Sequence, residues 1–237
     1  MALASLLLSR TLNDPARFPV NRVDILGTLD FADRVELSTA VQRYTTRGFY
    51  GLDIGQLRAD VEKFAWVDRA RVTRVWPAKV VVDVEEHEPA ARWNQNSLIS
   101  KRLKVFEPPQ LRPETDNYGK WQQVFAPLPQ LRGTPGRQAA LLDSYRAYAQ
   151  ELSMLGLTLA ILNEDDRRAQ TLVFSNEVVL HLGSEKHEQR MESFVSVYPK
   201  FSRLAAAEPQ GFPALKFDMR YSNGFAVGRV SDRGDER

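Results

Sequence analysis

The run Lys79-Val80-Val81-Val82-Asp83-Val84-Glu85 is the stretch that leaves the chain least choice. Val80, Val82 and Val84 fall on one face of an extended backbone, while Val81, Asp83 and Glu85 fall on the other, so the segment reads as a half-buried strand. A second strand-like run, Val67 to Trp76, precedes it across Trp76-Pro77-Ala78, where proline fixes a turn and cannot sit within a sheet. The two make a hairpin whose valine face needs an apolar cover. Arg69 and Arg71 oppose the acidic face, and cross-strand charge pairing explains these ions better than a binding role does.

The cover lies upstream. Val20 to Leu26 is strand-like and is broken at Gly27. Asp33-x-x-Glu36 has the form of a capping box opening a helix with Leu37, Val41 and Tyr44 on one face, stopped by Arg47-Gly48. Asp53-x-x-Gln56 repeats the device, and Ile54, Leu57, Val61 and Phe64 line a second helix. The order is β-α-α-β-β over about seventy residues, and Glu86-His87-Glu88-Pro89 reads as an exit into a second domain. A chain of 237 residues has room for two such cores.

Beyond the exit, Ala91-Arg92-Trp93-Asn94 through Val105-Phe106 predicts a short hairpin. Pro108, Pro109, Pro113, Pro127 and Pro129 then mark a loop-rich crossing with little structure. Leu141, Tyr145, Tyr148, Leu152 and Leu155 define an amphipathic helix capped near Gly156. Thr158 to Leu162, Thr171 to Phe174 and Val178 to Leu182 predict an antiparallel meander. Met191, Phe194, Tyr198 and Phe201 line another helix, with a kink expected at Pro199. Phe217 to Gly228 forms a closing hairpin. The fold class is α+β, with a mainly antiparallel second domain carrying two packed helices.

Chemistry is sparse. Lys and Arg total 32 against 30 Asp and Glu, so the net charge of +2 exerts no strong pull on nucleic acid or anionic lipid. With no cysteine there are no disulfides, thiolate nucleophiles or cysteine metal sites. His87, His181 and His187 lack H-x-x-x-H or H-E-x-x-H spacing. His181 reads as a hydrogen-bonded strand histidine, and His187 as a solvated residue opening a helix. Glu164-Asp165-Asp166, flanked by Arg167 and Arg168, reads as a solvent-facing turn rather than an acid-base pair. No G-x-G-x-x-G or G-x-x-x-x-G-K cradle is present. No cofactor, metal or small-molecule substrate is expected. The apolar part of MALASLLLSR falls far below the roughly 20 residues of a membrane span. It is either a loose terminus or the outer end of an anchor.

Phe18-Pro19-Val20-Asn21-Arg22-Val23, Ile25-Leu26-Gly27, Trp66-Val67, Arg74-Val75-Trp76-Pro77, Glu85-x-x-Glu88-Pro89-x-Ala91-Arg92-Trp93, Val197-Tyr198-Pro199 and Asp218-Met219-Arg220-Tyr221-x-Asn223-Gly224-x-Ala226-Val227-Gly228 together resemble the bacterial division family FtsQ/DivIB. The resemblance runs in order through nearly the whole chain. It implies a POTRA domain over residues 18–88, a β-domain over 89–230, a membrane-proximal segment over 1–17 and a flexible tail over 231–237. It also implies a non-enzymatic scaffold of the inner membrane with one spanning helix, this chain lying on the periplasmic side at the septum. Implied partners are FtsB and FtsL at the β-domain, and division proteins such as FtsK, FtsW or FtsN at the POTRA half.

Arg220, Tyr221, Asn223, Gly224 and Phe225, with Arg167 and Val197, are the partner-binding residues this resemblance and the residue types suggest. A closing hairpin can leave one strand with unpaired N–H and C=O groups for an incoming strand. Asn223-Gly224 reads equally as turn chemistry, Arg167 equally as a solvated loop residue, and Tyr198 as core. Two positions depart from the family pattern: Arg229 stands where some relatives carry tryptophan, and Ser100 to Lys104 lacks the usual acidic, glycine-containing turn. Two rival readings exist. An outer-membrane assembly or secretion module should carry several POTRA copies or a barrel, and a cell-wall enzyme would depend on Asp165 or Asp166.

Overall fold

The computed structural model describes residues 14–206, 215–221 and 224–229. It divides into two units, one ending at Glu88 and also taking in Phe106–Pro109, the other made of the remainder. The membrane-proximal reading of residues 1–17 falls almost wholly outside the described residues, and that of the 231–237 tail entirely so. Among the described residues no helix is long and apolar enough to cross a membrane.

In the first unit β1 (Arg22–Leu26), α1 (Arg34–Thr45), the short α2 (Gly48–Gly51), α3 (Ile54–Val61), β2 (Val67–Val75) and β3 (Lys79–Glu86) follow one another. Of each expected capping box the aspartate half forms, while the Gln56 amide turns to Asp60 at 3.2 Å. The Asp33 carboxylate accepts the N–H groups of Val35 at 2.7 Å and Glu36 at 3.2 Å, and Asp53 accepts that of Gln56 at 2.9 Å. The sheet order is β1-β3-β2, with β1 parallel and β2 antiparallel to β3. Val80, Val82 and Val84 lie buried under Leu37, Val41, Leu57 and Val61. Each such side chain contributes roughly 1.5–3 kcal/mol by leaving water. Register sets Arg69 against Glu85 and Arg71 against Asp83, as the alternation predicts.

Gly27 stands where β1 ends, at a φ of +115°. A Cβ there would lie 2.1 Å from the Val84 carbonyl oxygen, so only glycine fits. A register shift between Val67 and Arg69 turns Asp68 inward. Its carboxylate then meets the buried His87 ring, with Nδ1 and Oδ1 3.4 Å apart. The Phe106 ring stacks on His87 at 4.4 Å and meets Trp66 edge-on at 5.1 Å.

The other sheet has nine strands among the described residues, in the order β12-β11-β10-β9-β8-β7-β4-β5-β6. In chain order these are β4 (Pro89–Trp93), β5 (Ser97–Ser100), β6 (Val105–Phe106), α4 (Tyr118–Phe125), β7 (Gln130–Arg132), α5 (Gln138–Ser153), β8 (Leu159–Glu164), β9 (Gln170–Phe174), β10 (Val179–Gly183), α6 (His187–Ala206), β11 (Leu215–Asp218) and β12 (Ala226–Arg229). The β8-β9-β10 meander is antiparallel. The β4-β7, β7-β8 and β10-β11 pairs are parallel. Parallel neighbours need a crossover, which α5 supplies between β7 and β8 and α6 between β10 and β11.

The expected loop-rich crossing is corrected here. It contains α4 and delivers β7 between β4 and β8. The prolines concealed it, and so did a helix start at Asn117 that makes no side-chain cap bond. Helix α6 runs on through Pro199. The departing turn at Ser100–Lys104 closes through Leu103 in the left-handed region at φ 64°, with Leu103 N–H donating to the Ser100 carbonyl at 2.8 Å. Leu141, Leu152, Met191 and Phe194 from the helices meet Leu162, Leu172, Leu180 and Phe217 from the sheet in one core.

Candidate functional site

Along Leu215-Lys216-Phe217-Asp218-Met219 alternate residues point inward. Leu215, Phe217 and Met219 are buried, while Lys216 and Asp218 face the other way. Phe217 is held edge-on by Phe194 at 5.1 Å and by Phe201 at 5.6 Å. That anchoring fixes β11, and β12 pairs with it antiparallel, Phe217 opposite Val227 and Asp218 opposite Ala226. Among the described residues no strand of the sheet lies beyond β12, which leaves its outer row of backbone groups without a strand partner there.

Where the ribbon leaves the sheet, a groove of about 490 Å³ opens between α6 and the hairpin. Met219, Val197 and Phe225 give it apolar surface, and Lys186, Arg190 and Arg220 give it positive charge. Phe225 rests edge-on against Phe201 at 6.1 Å, and Tyr221 is 60% exposed. An aromatic ring left this open on a defined backbone is a typical partner-binding feature.

Two of these cations, Arg220 and Arg190, are held in place. Arg220 grips Asp218 through two bonds, Nε to Oδ1 at 2.9 Å and a terminal nitrogen to Oδ2 at 2.6 Å. The Arg220 fork holds the Asp218 carboxyl below the usual carboxylate range, and His181 adds slightly to this. Arg190 donates to the Leu182 carbonyl and, at 3.3 Å, to that of Arg220, tying the ends of β10 and β11 together. Gly183 makes room for this clamp: its φ is +75°, and a Cβ would lie 2.7 Å from the Arg190 guanidinium and 3.0 Å from Arg220 Cγ. Because Arg190 bonds carbonyl oxygens and no carboxylate, its charge remains available to a partner.

Of the residues expected to bind, Val197, Arg220, Tyr221, Gly224 and Phe225 line this one groove. Asn223 lies outside the described residues. Arg167 does not line the groove. It is exposed on the β8-β9 turn. Register through Gln170, Gly183, His181 and Asp218 puts that turn at the same end of the sheet as Arg220. Arg229 ends β12, exposed opposite Leu215.

Sequence reasoning missed Lys186, Gln189, Arg190, Ser193 and Ser196, which form the α6 wall. Their spacing of three and four, continuing to Val197, was the available signal, and the small serines leave the depth. Two further readings change. His187 is not simply solvated: its Nε2 lies 2.7 Å from the Gly183 carbonyl oxygen. Glu164 is not part of a solvent-facing turn, since it is buried and bonded to Arg137. Asp165 shapes that turn, accepting the N–H groups of Arg167 and Ala169 at 2.8 Å. His181 has its expected bond, Nδ1 lying 2.9 Å from the Thr171 hydroxyl. Among the described residues, no group of His, Asp or Glu could hold a metal ion.

Comparison with known proteins gives a consistent result. A family profile described as "Cell division protein FtsQ/DivIB, C-terminal" matches residues 91–220, and one described as "POTRA domain, FtsQ-type" matches residues 18–87. The chain is similar to the Cell division protein FtsQ of Shewanella oneidensis, 33% identical over 94% of this chain and 78% of that protein. It is also 29% identical to the proteins of that name from Coxiella burnetii and Vibrio cholerae, over 92% and 91% of this chain and 83% and 76% of theirs.

Proposed function

The chain belongs to the FtsQ/DivIB family of cell-division proteins, and from that premise we propose that it is a non-enzymatic divisome scaffold whose β12 edge captures a strand of FtsB or FtsL. Division proteins such as FtsK, FtsW or FtsN are then assigned to the POTRA half. The working location is the periplasmic side of the inner membrane at the septum, anchored by a single helix. The domains are taken as residues 18–88 and 89–230.

One observation supports the reading: among the described residues β12 is the outermost strand of its sheet, and the groove beside it is lined by Val197, Arg220, Tyr221, Gly224 and Phe225. An added strand would satisfy the outer backbone groups of β12, and its side chains would reach Tyr221 and Phe225. The charge of Arg190 and Lys186 favours an acidic segment and speeds its encounter.

The test is calorimetry of the folded chain with an FtsB peptide. Tyr221→Ala removes an exposed aromatic anchor and should weaken binding by about 30-fold, the equivalent of roughly 2 kcal/mol. A peptide N-methylated at alternate amides should lose binding altogether if the contact is a strand ladder. Full affinity for the methylated peptide, or for Tyr221→Ala with unchanged circular dichroism, would overturn the reading.

A further inference from the structure

A second cavity, of about 300 Å³, lies in the same unit but against other strands, β4 and β7. These two are parallel, with Arg92 beside Gln130 and Trp93 beside Leu131. Trp93 and Leu131 are buried in the main core. Strand alternation therefore sends Arg92, Asn94, Gln130 and Arg132 to the opposite face. Helix α4 covers that face with Tyr118, Gln122 and Phe125, which are spaced by four and three along one side.

The lining contains two arginines and no carboxylate. Glu114 and Asp116 precede α4 but do not line the cavity. Neither arginine makes an ion pair among the described residues. Arg92 donates Nε to the Leu128 carbonyl at 3.3 Å, which leaves its terminal nitrogens and the whole Arg132 fork unspent. Burial pushes the Arg92 guanidinium down, and the nearby Arg132 charge pushes it further. Two like charges brought together with no counter-charge cost free energy that an anion would recover.

The polar neighbours are otherwise occupied. Gln130 Nε2 donates to the carbonyls of Asn94 at 2.6 Å and Leu131 at 3.2 Å. Asn94 is closed on Gly133 through both ends of its amide, at 3.0 and 3.3 Å. Gln122 donates to the Tyr118 oxygen at 2.6 Å, so the Tyr118 hydroxyl hydrogen is left to donate. Gln95, Asn96 and Ser97 complete the polar lining, and Leu111, Pro113 and Phe125 supply an apolar wall. The volume sits at the small end of ligand sites and suits a compact molecule rather than a polymer.

We propose that this cavity is a binding site for a small oxyanion ligand, its carboxylate or phosphate group seated between Arg92 and Arg132 and its remaining atoms against the Leu111 and Phe125 side. The forked guanidinium geometry matches either group, each able to accept paired N–H bonds.

Calorimetry of the full chain at constant ionic strength, with inorganic phosphate in one arm and citrate in the other, tests the site. Saturable binding of one ligand per chain is expected in at least one arm, and the arm identifies the group: phosphate for a phosphate-bearing ligand, citrate for a carboxylate. Arg132→Gln, on an exposed side chain that the fold does not need, should weaken binding by about tenfold or more. Arg146→Gln, on helix α5 and paired with Asp143, does not touch the cavity and should leave it unchanged. No saturable binding in either arm, or binding that survives both Arg132→Gln and Arg92→Gln, would overturn the proposal. If Arg92→Gln does not fold, Arg132→Gln decides alone.

Discussion

Glu164 ends β8 with its carboxylate almost wholly withdrawn from water. Arg137 holds both oxygens, at 2.8 and 3.0 Å, Gln170 donates to one of them at 3.1 Å, and the Tyr148 hydroxyl donates to Gln170 at 2.8 Å. The Arg137 bonds hold the Glu164 carboxyl below its ordinary 4.5, and burial pushes Tyr148 up to about 12. A depressed carboxylate contributes stability above its unfolded value and loses it as pH falls through the folded one. Glu164→Gln should therefore cost about 2–3 kcal/mol at neutral pH. That is less than a fully buried broken pair costs, because the Arg137 side chain is 29% exposed and partly solvated when deserted. The deficit should shrink as pH drops below the ordinary carboxylate range, which urea unfolding at a series of pH values would read. The sequence hid this residue behind Asp165-Asp166-Arg167-Arg168, which reads as a solvated charge run. Strand parity with the buried Leu162 was visible, but the partner Arg137, twenty-seven residues upstream, was not.

At the scale of elements, local signals separated what could be read from what could not. Asp33 and Asp53 announced α1 and α3 because an N-terminal cap is a short-range device, complete within three residues. Helix α4 has no such device and lies among prolines, so no local start signal marks it. It is held by Phe125, which is 3% exposed, while Val124 beside it is 46% exposed. Phe125→Ala should cost about 3 kcal/mol and speed hydrogen exchange across Tyr118–Phe125 before any other helix of the unit. Equal acceleration in α5 would show that α4 is fixed by more than this one ring. The closing ribbon shows the complementary limit. Its alternation and turn chemistry were legible, but that β12 is an outer strand is a property of the sheet order, which rests on pairings far apart in sequence.

For the whole molecule, the consequential feature is that the first unit does not consist of one continuous stretch. The Glu86-His87-Glu88-Pro89 exit was legible from the end of a strand meeting a proline. The return of Phe106–Pro109 to that unit was not, because no local pattern marks a ring that packs on a tryptophan forty positions earlier. Phe106 is 7% exposed, stacked on His87 and edge-on to Trp66, which itself stacks on Phe31 at 4.3 Å. Removing the ring opens a cavity over the buried Asp68-His87 pair and takes an edge-on contact away from Trp66. Phe106→Ala should thus cost about 3–5 kcal/mol, and the cost should fall on the unit that owns the contact. Hydrogen exchange locates it: amides of β2 and β3 should exchange faster, while those of β8, β9 and β10, whose described side chains pack in a different buried cluster, keep their rates. Uniform acceleration across both sheets would mean that the chain opens as one cooperative body, and the two cores would then have to be treated as a single folding unit.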